Sequence, residues 1–350
     1  VRIPQLLSVT EAQRCRELLD KQDWQDGRLT AGHIAQHVKT NQQLPRDNVA
    51  AQQVGQLILE KLAESPLFMS VALPLKVLPP LFNRYEGGTT YGDHIDNAVF
   101  TMPHTGEKVR SDVSTTVFLT DADAYEGGEL VISDTYGEQR VKLNAGDAIV
   151  YPATSLHRVE PVTAGVRVGA FFWTQSMVAS GEQRQVLYDL DVAIQQILQA
   201  DAVYIVGIQS SRGLLHYFYS LLEYMRPNVH FSDGGSGAYI DALNNGQKSF
   251  LLTADFRHYA VHTKRLCLAA ENLRLPYGLI TDVYCPWAQS LHGHVLTLET
   301  DIQQFWDSMT PVLSLLQHLL NDVAGQLGGQ LQQRMEVNKR LQDAFRQFEE

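Results

Sequence analysis

Cysteine is scarce in this 350-residue sequence, and its distribution excludes two classes of site. Cys15, Cys267 and Cys285 are odd in number and far apart, so they form neither a zinc-binding spacing nor a disulfide framework. A sequence this poor in cysteine is typical of a reducing compartment. We therefore expect a cytoplasmic protein.

Long apolar runs and an excess of positive charge are also missing. No apolar run approaches the roughly 20 residues of a membrane helix, and the first residues lack the charged-then-apolar pattern of a signal peptide. The sequence holds 28 basic and 39 acidic residues, a net charge of −11. We therefore expect neither a membrane nor a nucleic acid as a partner. Because the chain begins at Val1 rather than Met, we also expect a trimmed N-terminus.

A change in residue pattern near residue 199 predicts two domains, residues 1–198 and residues 199–350. In the first, helical patterns cover 8–22, 50–64 and 181–198. Between them, short strands broken by Gly, Pro and Asp are predicted at 78–85, 91–95, 113–119, 128–133, 139–143, 147–151, 156–161 and 165–175. Strands of this length and spacing are typical of a jelly-roll, the double-stranded β-helix, here with flanking helices.

Beyond residue 199, apolar strands alternate with helical patterns. Strands are predicted at 202–207, 228–231, 249–253, 277–281 and 294–298, and helices at 212–225, 236–244 and 259–273, with a helical tail over 301–350. This alternation predicts a doubly wound parallel α/β sheet. No Gly/Ser/Pro-rich linker separates the two halves, so a composite of two proteins is one hypothesis for the chain.

The first half contains a candidate metal site. His94 and Asp96 form an H-x-D pair, and in an extended segment two such residues point to the same face. His157, on a later predicted strand, is the candidate third ligand. Two histidines and a carboxylate on one side of a metal form the open site of non-haem Fe(II) oxygenases. We therefore predict that these three residues are metal ligands and catalytic; the alternatives are a polar cluster at the barrel mouth or a cupin-like metal protein without oxygenase activity.

Arg167 lies ten residues beyond His157, in the apolar, alternating run 165–173. An unpaired charge on the inner face of such a strand is costly, so it needs an anion. The guanidinium fork matches a carboxylate with two parallel hydrogen bonds. Arg167 is therefore predicted to bind a keto-acid cosubstrate, unless it pairs structurally with a nearby acid.

Several short motifs resemble those of the PKHD-type hydroxylases, which belong with the prolyl-hydroxylase branch of the Fe(II)/2-oxoglutarate dioxygenases. The resemblance runs from near residue 1 to about residue 198 and includes residues 81–85, 91–96, 125–130, 156–159, 165–167 and 173–176. It implies Fe(II) at His94, Asp96 and His157, and 2-oxoglutarate at Arg167 with Tyr85 as a second contact. L-ascorbate is considered as a further cofactor. Tyr91 is left open between a contact with the cosubstrate and packing within the barrel. His33, His37 and His104 are expected to be surface or loop residues.

The second half resembles the SIS (sugar isomerase) domain of RpiR-type transcriptional regulators, over about residues 200–330. That resemblance rests on the order of strands and helices, and it implies binding of a carbohydrate derivative. The segment from Gly207 to Gly213 occupies the place of the phosphate loop, with Ser210 and Ser211 as possible anion ligands or simple helix caps. The later loop 253–258 lacks most of the expected hydroxyls. We therefore expect weak or absent sugar-phosphate binding and no isomerase activity.

These observations together predict an Fe(II)- and 2-oxoglutarate-dependent hydroxylase. The sequence leaves the substrate open between a peptidyl proline, a free amino acid and a small molecule of iron uptake. For the second half the alternatives are a regulatory module that senses a sugar phosphate and a dimerisation module. A homo-oligomer that forms through the C-terminal domain is expected.

Overall fold

The computed structural model describes residues 1–30, 38–103, 105–134, 137–234, 239–244, 246–303 and 305–345. It divides the chain into two units, Val1–Gln185 and Val186–Glu350. The division falls inside the helix Gly181–Gln199, whereas the sequence pattern places it at residues 198 and 199. The difference arises because Ala193, Ile194 and Ile197 are buried in the core of the second unit. No helix in these described ranges is long and apolar enough to cross a membrane.

The first unit consists of many short strands with helices at its two ends. Its helices are α1 (Val9–Asp20), α2 (Val49–Ala63), α3 (Pro66–Ala72) and the start of α4 (Gly181–Gln199). Its strands are β1 (Arg2–Ile3), β2 (Gln25–Asp26), β3 (Gln42–Gln43), β4 (Pro74–Val77), β5 (Leu81–Glu86), β6 (Tyr91–His94), β7 (Val99–Thr101), β8 (Lys108–Arg110), β9 (Val113–Phe118), β10 (Tyr125–Gly127), β11 (Leu130–Asp134), β12 (Gly137–Val141), β13 (Ala148–Pro152), β14 (Leu156–Val159) and β15 (Val162–Ser176).

Local chemistry explains where the first helices begin. Ser8 and Glu11 form a capping box at the start of α1, with each side chain bonded to the other residue's backbone N–H. Helix α3 was not predicted from the sequence. It begins at Pro66, and the Ser65 hydroxyl accepts a hydrogen bond from the backbone N–H of Phe68.

Two antiparallel sheets form the jelly-roll. The larger has the order β1-β13-β9-β15-β5-β3-β2, with β10 and β4 also paired to β15, and the smaller has the order β12-β11-β14-β6. Strands β7 and β8 form a separate hairpin. The predicted jelly-roll and the two-part arrangement of the chain are confirmed.

The long strand β15 separates the core from the cavity of the first unit. On one face, Val168, Ala170 and Phe172 are buried in a cluster with apolar residues of α1 and α2. Each fully buried side chain of the size of Phe172 stabilises the fold by about 1.5–3 kcal/mol. Because neighbouring side chains of a strand alternate between faces, Arg167 and Phe171 point the other way, towards the smaller sheet.

The second unit contains five parallel strands, which are β16 (Ala202–Gly207), β17 (Val229–Ser232), β18 (Ser249–Asp255), β19 (Tyr277–Asp282) and β20 (His294–Leu298). Their order, β17-β16-β18-β19-β20, is that of a doubly wound α/β sheet of the flavodoxin type. The helices are α5 (Ser211–Met225), α6 (Tyr239–Asn244), α7 (Val261–Asn272), α8 (Thr310–Leu327) and α9 (Gly329–Ala344). The tail is thus helical only from Thr310, and Gly328, with a φ of 48°, separates its two helices.

Candidate active site

Strand pairing in the smaller sheet brings the three predicted metal ligands together. His94 on β6 is the register partner of His157 on β14, and Asp96 follows β6 by two residues. One ligand atom from each residue lies within 4.8 Å of the other two. The Nε2 atom of His157 lies 3.8 Å from the Asp96 carboxylate. Three donors at this separation suit a single divalent cation.

Backbone carbonyls orient both imidazole rings. Nδ1 of His94 lies 2.8 Å from the carbonyl oxygen of Gly92, and Nδ1 of His157 lies 2.9 Å from that of Ser155. A carbonyl can only accept a hydrogen bond, so each Nδ1 donates and each Nε2 keeps its lone pair for a metal. Burial lowers the pKa of His94, which keeps that ring neutral.

The ring of Tyr91 packs on the His94 imidazole. Their centroids lie 3.6 Å apart and the planes are inclined by 14°. Tyr91 was left open between cosubstrate contact and packing. The stacking favours packing on His94, and a contact with the cosubstrate stays a prediction.

The side chain of Ser114 holds the carboxylate of Asp96 in place, and it was not predicted from the sequence. Its hydroxyl, on β9 and almost fully buried, donates a hydrogen bond of 2.5 Å to Oδ2 of Asp96. Partners of this kind orient a metal ligand and raise metal affinity. Only the pairing of β9 with β13 and β15 brings Ser114 to this point, so no local pattern could have identified it.

Ser114→Ala is expected to weaken Fe(II) binding by about 10–100-fold, the usual cost of losing such a partner. Competition for Fe(II) with a coloured chelator measures this affinity directly. Thr174→Val is the control, because Thr174 is another buried hydroxyl residue of the large sheet and is not among the residues that line the cavity. Equal Fe(II) affinity in Ser114→Ala and Thr174→Val would contradict a role for Ser114 in holding Asp96.

Arg167 is a buried cation with an unsatisfied donor. Its side chain is 3% exposed, and its guanidinium carbon lies 5.1 Å from the ring centroid of Tyr85 and 5.3 Å from that of Phe118. Burial raises the pKa of Tyr85 and of Tyr125, and the positive charge of Arg167 offsets part of that rise. Within the described residues, Nε of Arg167 has no hydrogen-bond partner. A buried guanidinium with an open donor favours an anionic ligand.

Tyr85 lies directly opposite Arg167 across the β5–β15 pair. It is 1% exposed, and its hydroxyl accepts a hydrogen bond of 3.2 Å from Nδ2 of Asn83. The structure therefore places the two residues predicted to bind the cosubstrate side by side. Asn83 and Tyr125, which complete this polar group, belong to the short motifs that carry the family resemblance.

Gly128 makes room for the Arg167 side chain. Its φ of +67° is a left-handed conformation that favours glycine, and a Cβ atom there would lie 3.1 Å from Cδ of Arg167. It would also lie 2.7 Å from Cγ2 of Val162. This close approach gives a physical reason for the paired glycines in residues 125–130.

One open cavity joins the metal ligands to the buried cation. Its lining includes His94, Asp96 and His157 together with Tyr85 and Arg167.

Comparison with known proteins assigns the first unit to a family. Residues 80–175 match the family model of the 2OG-Fe(II) oxygenase superfamily. The chain is 64% identical over 197 residues to a PKHD-type hydroxylase of Delftia acidovorans, a match that covers 56% of this chain and 87% of the relative. The chain belongs to the PKHD-type hydroxylases. A relative from Burkholderia ambifaria is 50% identical over 225 residues, which are 64% of this chain and 97% of the relative.

This PKHD-type hydroxylase is an Fe(II)- and 2-oxoglutarate-dependent dioxygenase. The residues present fit both groups, because three neutral or anionic donors surround one point and a buried Arg167 has an open donor.

Solved structures are similar to each half of the hydroxylase. A prolyl-4-hydroxylase from Pseudomonas putida covers 51% of this chain and 92% of its own, with a TM-score of 0.36 and 18% identity. The sugar isomerase domain of an RpiR transcription factor from Sphaerobacter thermophilus covers 43% of this chain and 86% of its own, with a TM-score of 0.41 and 18% identity. Neither likeness bears on the role of any residue.

The loop suggested for anion binding in the second unit, residues 207–213, leads into the first turn of α5. The Ser211 hydroxyl is buried, donates to the carbonyl of Ile208 at 2.7 Å and accepts from its N–H at 3.2 Å. Ser210 is exposed and makes no capping hydrogen bond. The hydroxyl of Ser211 is therefore engaged within its own loop, and a role for either serine in anion binding stays a prediction.

The loop after β18 is also internally paired. Asp255 accepts a hydrogen bond from the backbone N–H of Ala260, and Arg257 forms ion pairs with Asp301 at 3.1 Å and Asp307 at 2.6 Å. Arg257 is thus occupied by two carboxylates. The remaining histidines discussed from the sequence, His33, His37 and His104, lie outside the described residues.

Proposed function

We propose that His94, Asp96 and His157 hold Fe(II), and that Arg167 and Tyr85 bind the distal carboxylate of 2-oxoglutarate. The observation that carries this proposal is the presence of the three ligand atoms and the buried guanidinium in one cavity. When bound, Fe(II) and 2-oxoglutarate supply the oxidising chemistry that hydroxylates a C–H bond. The chain's own residues position the two groups and keep them away from bulk water.

An aromatic wall near the metal ligands is suited to the substrate. Phe100 and Trp173 stack with centroids 3.9 Å apart, and Phe171 meets Trp173 edge to face at 5.5 Å. All three line the cavity. We propose that the C–H bond to be hydroxylated lies against this wall, with the substrate either a small molecule or a peptidyl side chain.

Succinate formation tests the proposed reaction. The full-length protein with Fe(II), 2-oxoglutarate and oxygen is expected to release succinate, and mass spectrometry of products from candidate substrates, with ascorbate present, identifies the hydroxylated molecule. Removal of the metal by a chelator should stop succinate release, and added Fe(II) should restore it, whereas Zn(II) should not. Succinate release that survives metal removal would contradict the proposal.

For the second unit we propose self-association and no sugar-phosphate binding. Helix α9 has no buried residue, and its apolar side chains Met335, Val337 and Leu341 are exposed. Exposed apolar side chains on one helix favour association. The free, buried cysteines support the further proposal of a cytoplasmic location.

Sedimentation velocity of the full chain, with and without a panel of sugar phosphates, tests both proposals for the second unit. The expected result is an oligomer at tens of micromolar protein whose sedimentation the sugar phosphates leave unchanged. Calorimetric titration with the same panel checks binding. A monomer would contradict self-association, and binding in the low micromolar range would contradict the absence of a sugar-phosphate site.

A further inference from the structure

Asn83 is a buried amide in the active-site cavity. It is 6% exposed, lies on β5 two residues before Tyr85, and lines the cavity from the same face of that strand. Its Nδ2 donates a hydrogen bond of 3.2 Å to the Tyr85 hydroxyl. Among the described residues its Oδ1 has no partner, so the contact with Tyr85 is the one hydrogen bond that this side chain makes there. Burial of an incompletely bonded amide is costly, so the fold alone does not account for Asn83.

Strand pairing places Asn83 next to the two residues proposed to bind the cosubstrate. Tyr85 lies opposite Arg167 across the β5–β15 pair, and Asn83 lies opposite Gly169. Because glycine has no side chain, β15 presents no side chain directly opposite the amide. The amide instead bonds along its own strand to Tyr85. Asn83 therefore acts on the residue that faces Arg167.

The hydrogen bond from Asn83 determines what the Tyr85 hydroxyl can do. A phenol can both accept and donate a hydrogen bond, and here its oxygen accepts from Asn83. Burial raises the pKa of Tyr85, so the phenol keeps its proton at neutral pH. In the part of the chain that the structure describes, no group accepts a hydrogen bond from this hydroxyl. Its hydrogen is therefore left for an acceptor that a ligand brings.

We propose that Asn83 is a positioning residue for 2-oxoglutarate, because its Nδ2 occupies one side of the Tyr85 oxygen and directs the Tyr85 hydrogen to the distal carboxylate on Arg167. The inference rests on the proposed function, since it takes Arg167 and Tyr85 as the carboxylate site. A carboxylate accepts hydrogen bonds from both groups, and such bonds are stronger than those between neutral partners. Asn83 acts through Tyr85 and not by a contact of its own with the cosubstrate.

Calorimetric titration of the full chain, loaded anaerobically with Fe(II), tests this role by binding alone. The two probes are 2-oxoglutarate and 2-oxopentanoate, which has a methyl group in place of the distal carboxylate. Asn83→Leu, which has a similar volume but no donor, is expected to weaken 2-oxoglutarate binding about threefold to tenfold, the usual effect of one hydrogen bond. It should leave 2-oxopentanoate binding unchanged, because the methyl group accepts no hydrogen bond from Tyr85.

A double-mutant cycle separates positioning from packing. Tyr85→Phe removes the hydroxyl, so the addition of Asn83→Leu to it should weaken 2-oxoglutarate binding no further. Asn83→Ala, which adds no bulk, provides the same comparisons if Asn83→Leu fails to fold. Asn144→Leu is the control and should bind both probes like the wild-type protein, because Asn144 is exposed and is not among the residues that line the cavity.

The proposal is overturned if Asn83→Leu binds 2-oxoglutarate like the wild-type protein, or if its effect is equal for the two probes. It is also overturned if the effect of Asn83→Leu has the same size in the Tyr85→Phe protein, since Asn83 would then act only through packing. Failure of the proposed function would appear separately, in the wild-type protein. A wild-type protein that binds the two probes equally, or binds neither, would overturn the proposed carboxylate site and this inference with it.

Discussion

His157→Ala is expected to abolish 2-oxoglutarate-dependent succinate formation and most Fe(II) binding while the protein remains folded. The imidazole provides one of only three protein donors in the proposed site, and the main apolar core of the first unit lies on the opposite face of the large sheet. Asp96→Ala and His94→Ala should behave in the same way. Succinate assays and the iron content of the purified variants measure the effect, and circular dichroism verifies the fold.

His292→Ala is the control for these ligand variants, because this histidine lies in the second unit with a side chain 90% exposed. Its activity should equal that of the wild-type protein. Iron content alone does not decide the Asp96→Ala result, since a halide can occupy the position vacated by the carboxylate. Turnover of 2-oxoglutarate at the wild-type rate in Asp96→Ala or His157→Ala would show that the metal ligands are assigned wrongly.

Arg167→Lys is expected to raise the KM for 2-oxoglutarate and to leave Fe(II) affinity unchanged. Lysine keeps the positive charge but loses the planar fork that binds a carboxylate through two hydrogen bonds. Arg167→Ala should have the larger effect, because loss of one partner of a buried charge pair costs about 2–5 kcal/mol. Steady-state kinetics over a range of 2-oxoglutarate concentrations, with iron content measured in parallel, separates cosubstrate binding from metal binding.

Arg84→Lys is the matched control, since Arg84 is on the neighbouring strand β5 and pairs with the half-exposed Glu86. It should leave the KM for 2-oxoglutarate unchanged. If Arg167→Ala also has a normal KM, the distal carboxylate binds to some other cation of the cavity.

The parts of the site that were predictable follow from local sequence patterns. The H-x-D spacing places His94 and Asp96 on one face, and the alternation of residues 165–173 identifies Arg167 as an inward-facing charge. Ser114 could not be found in this way. It lies in a run of hydroxyl residues, and only tertiary pairing brings it to the cavity.

The sequence pattern and the contacts within the structure divide the chain at different points of α4 for a similar reason. The apolar stripe of α4 predicts a buried face, but the pattern does not say which core buries it. In the structure, Ala193, Ile194 and Ile197 belong to the core of the second unit, so most of this helix belongs there as well.

Anaerobic titration of Fe(II) and then 2-oxoglutarate, followed by visible absorption, most directly tests the claim that one jelly-roll cavity holds both groups. The wild-type protein should bind one Fe(II) per chain and show a charge-transfer band that appears only when 2-oxoglutarate is added. Arg167→Lys should need a higher 2-oxoglutarate concentration for the same band, and His157→Ala should show none. A wild-type protein without the band, or a His157→Ala protein with a band of wild-type intensity, would contradict the account.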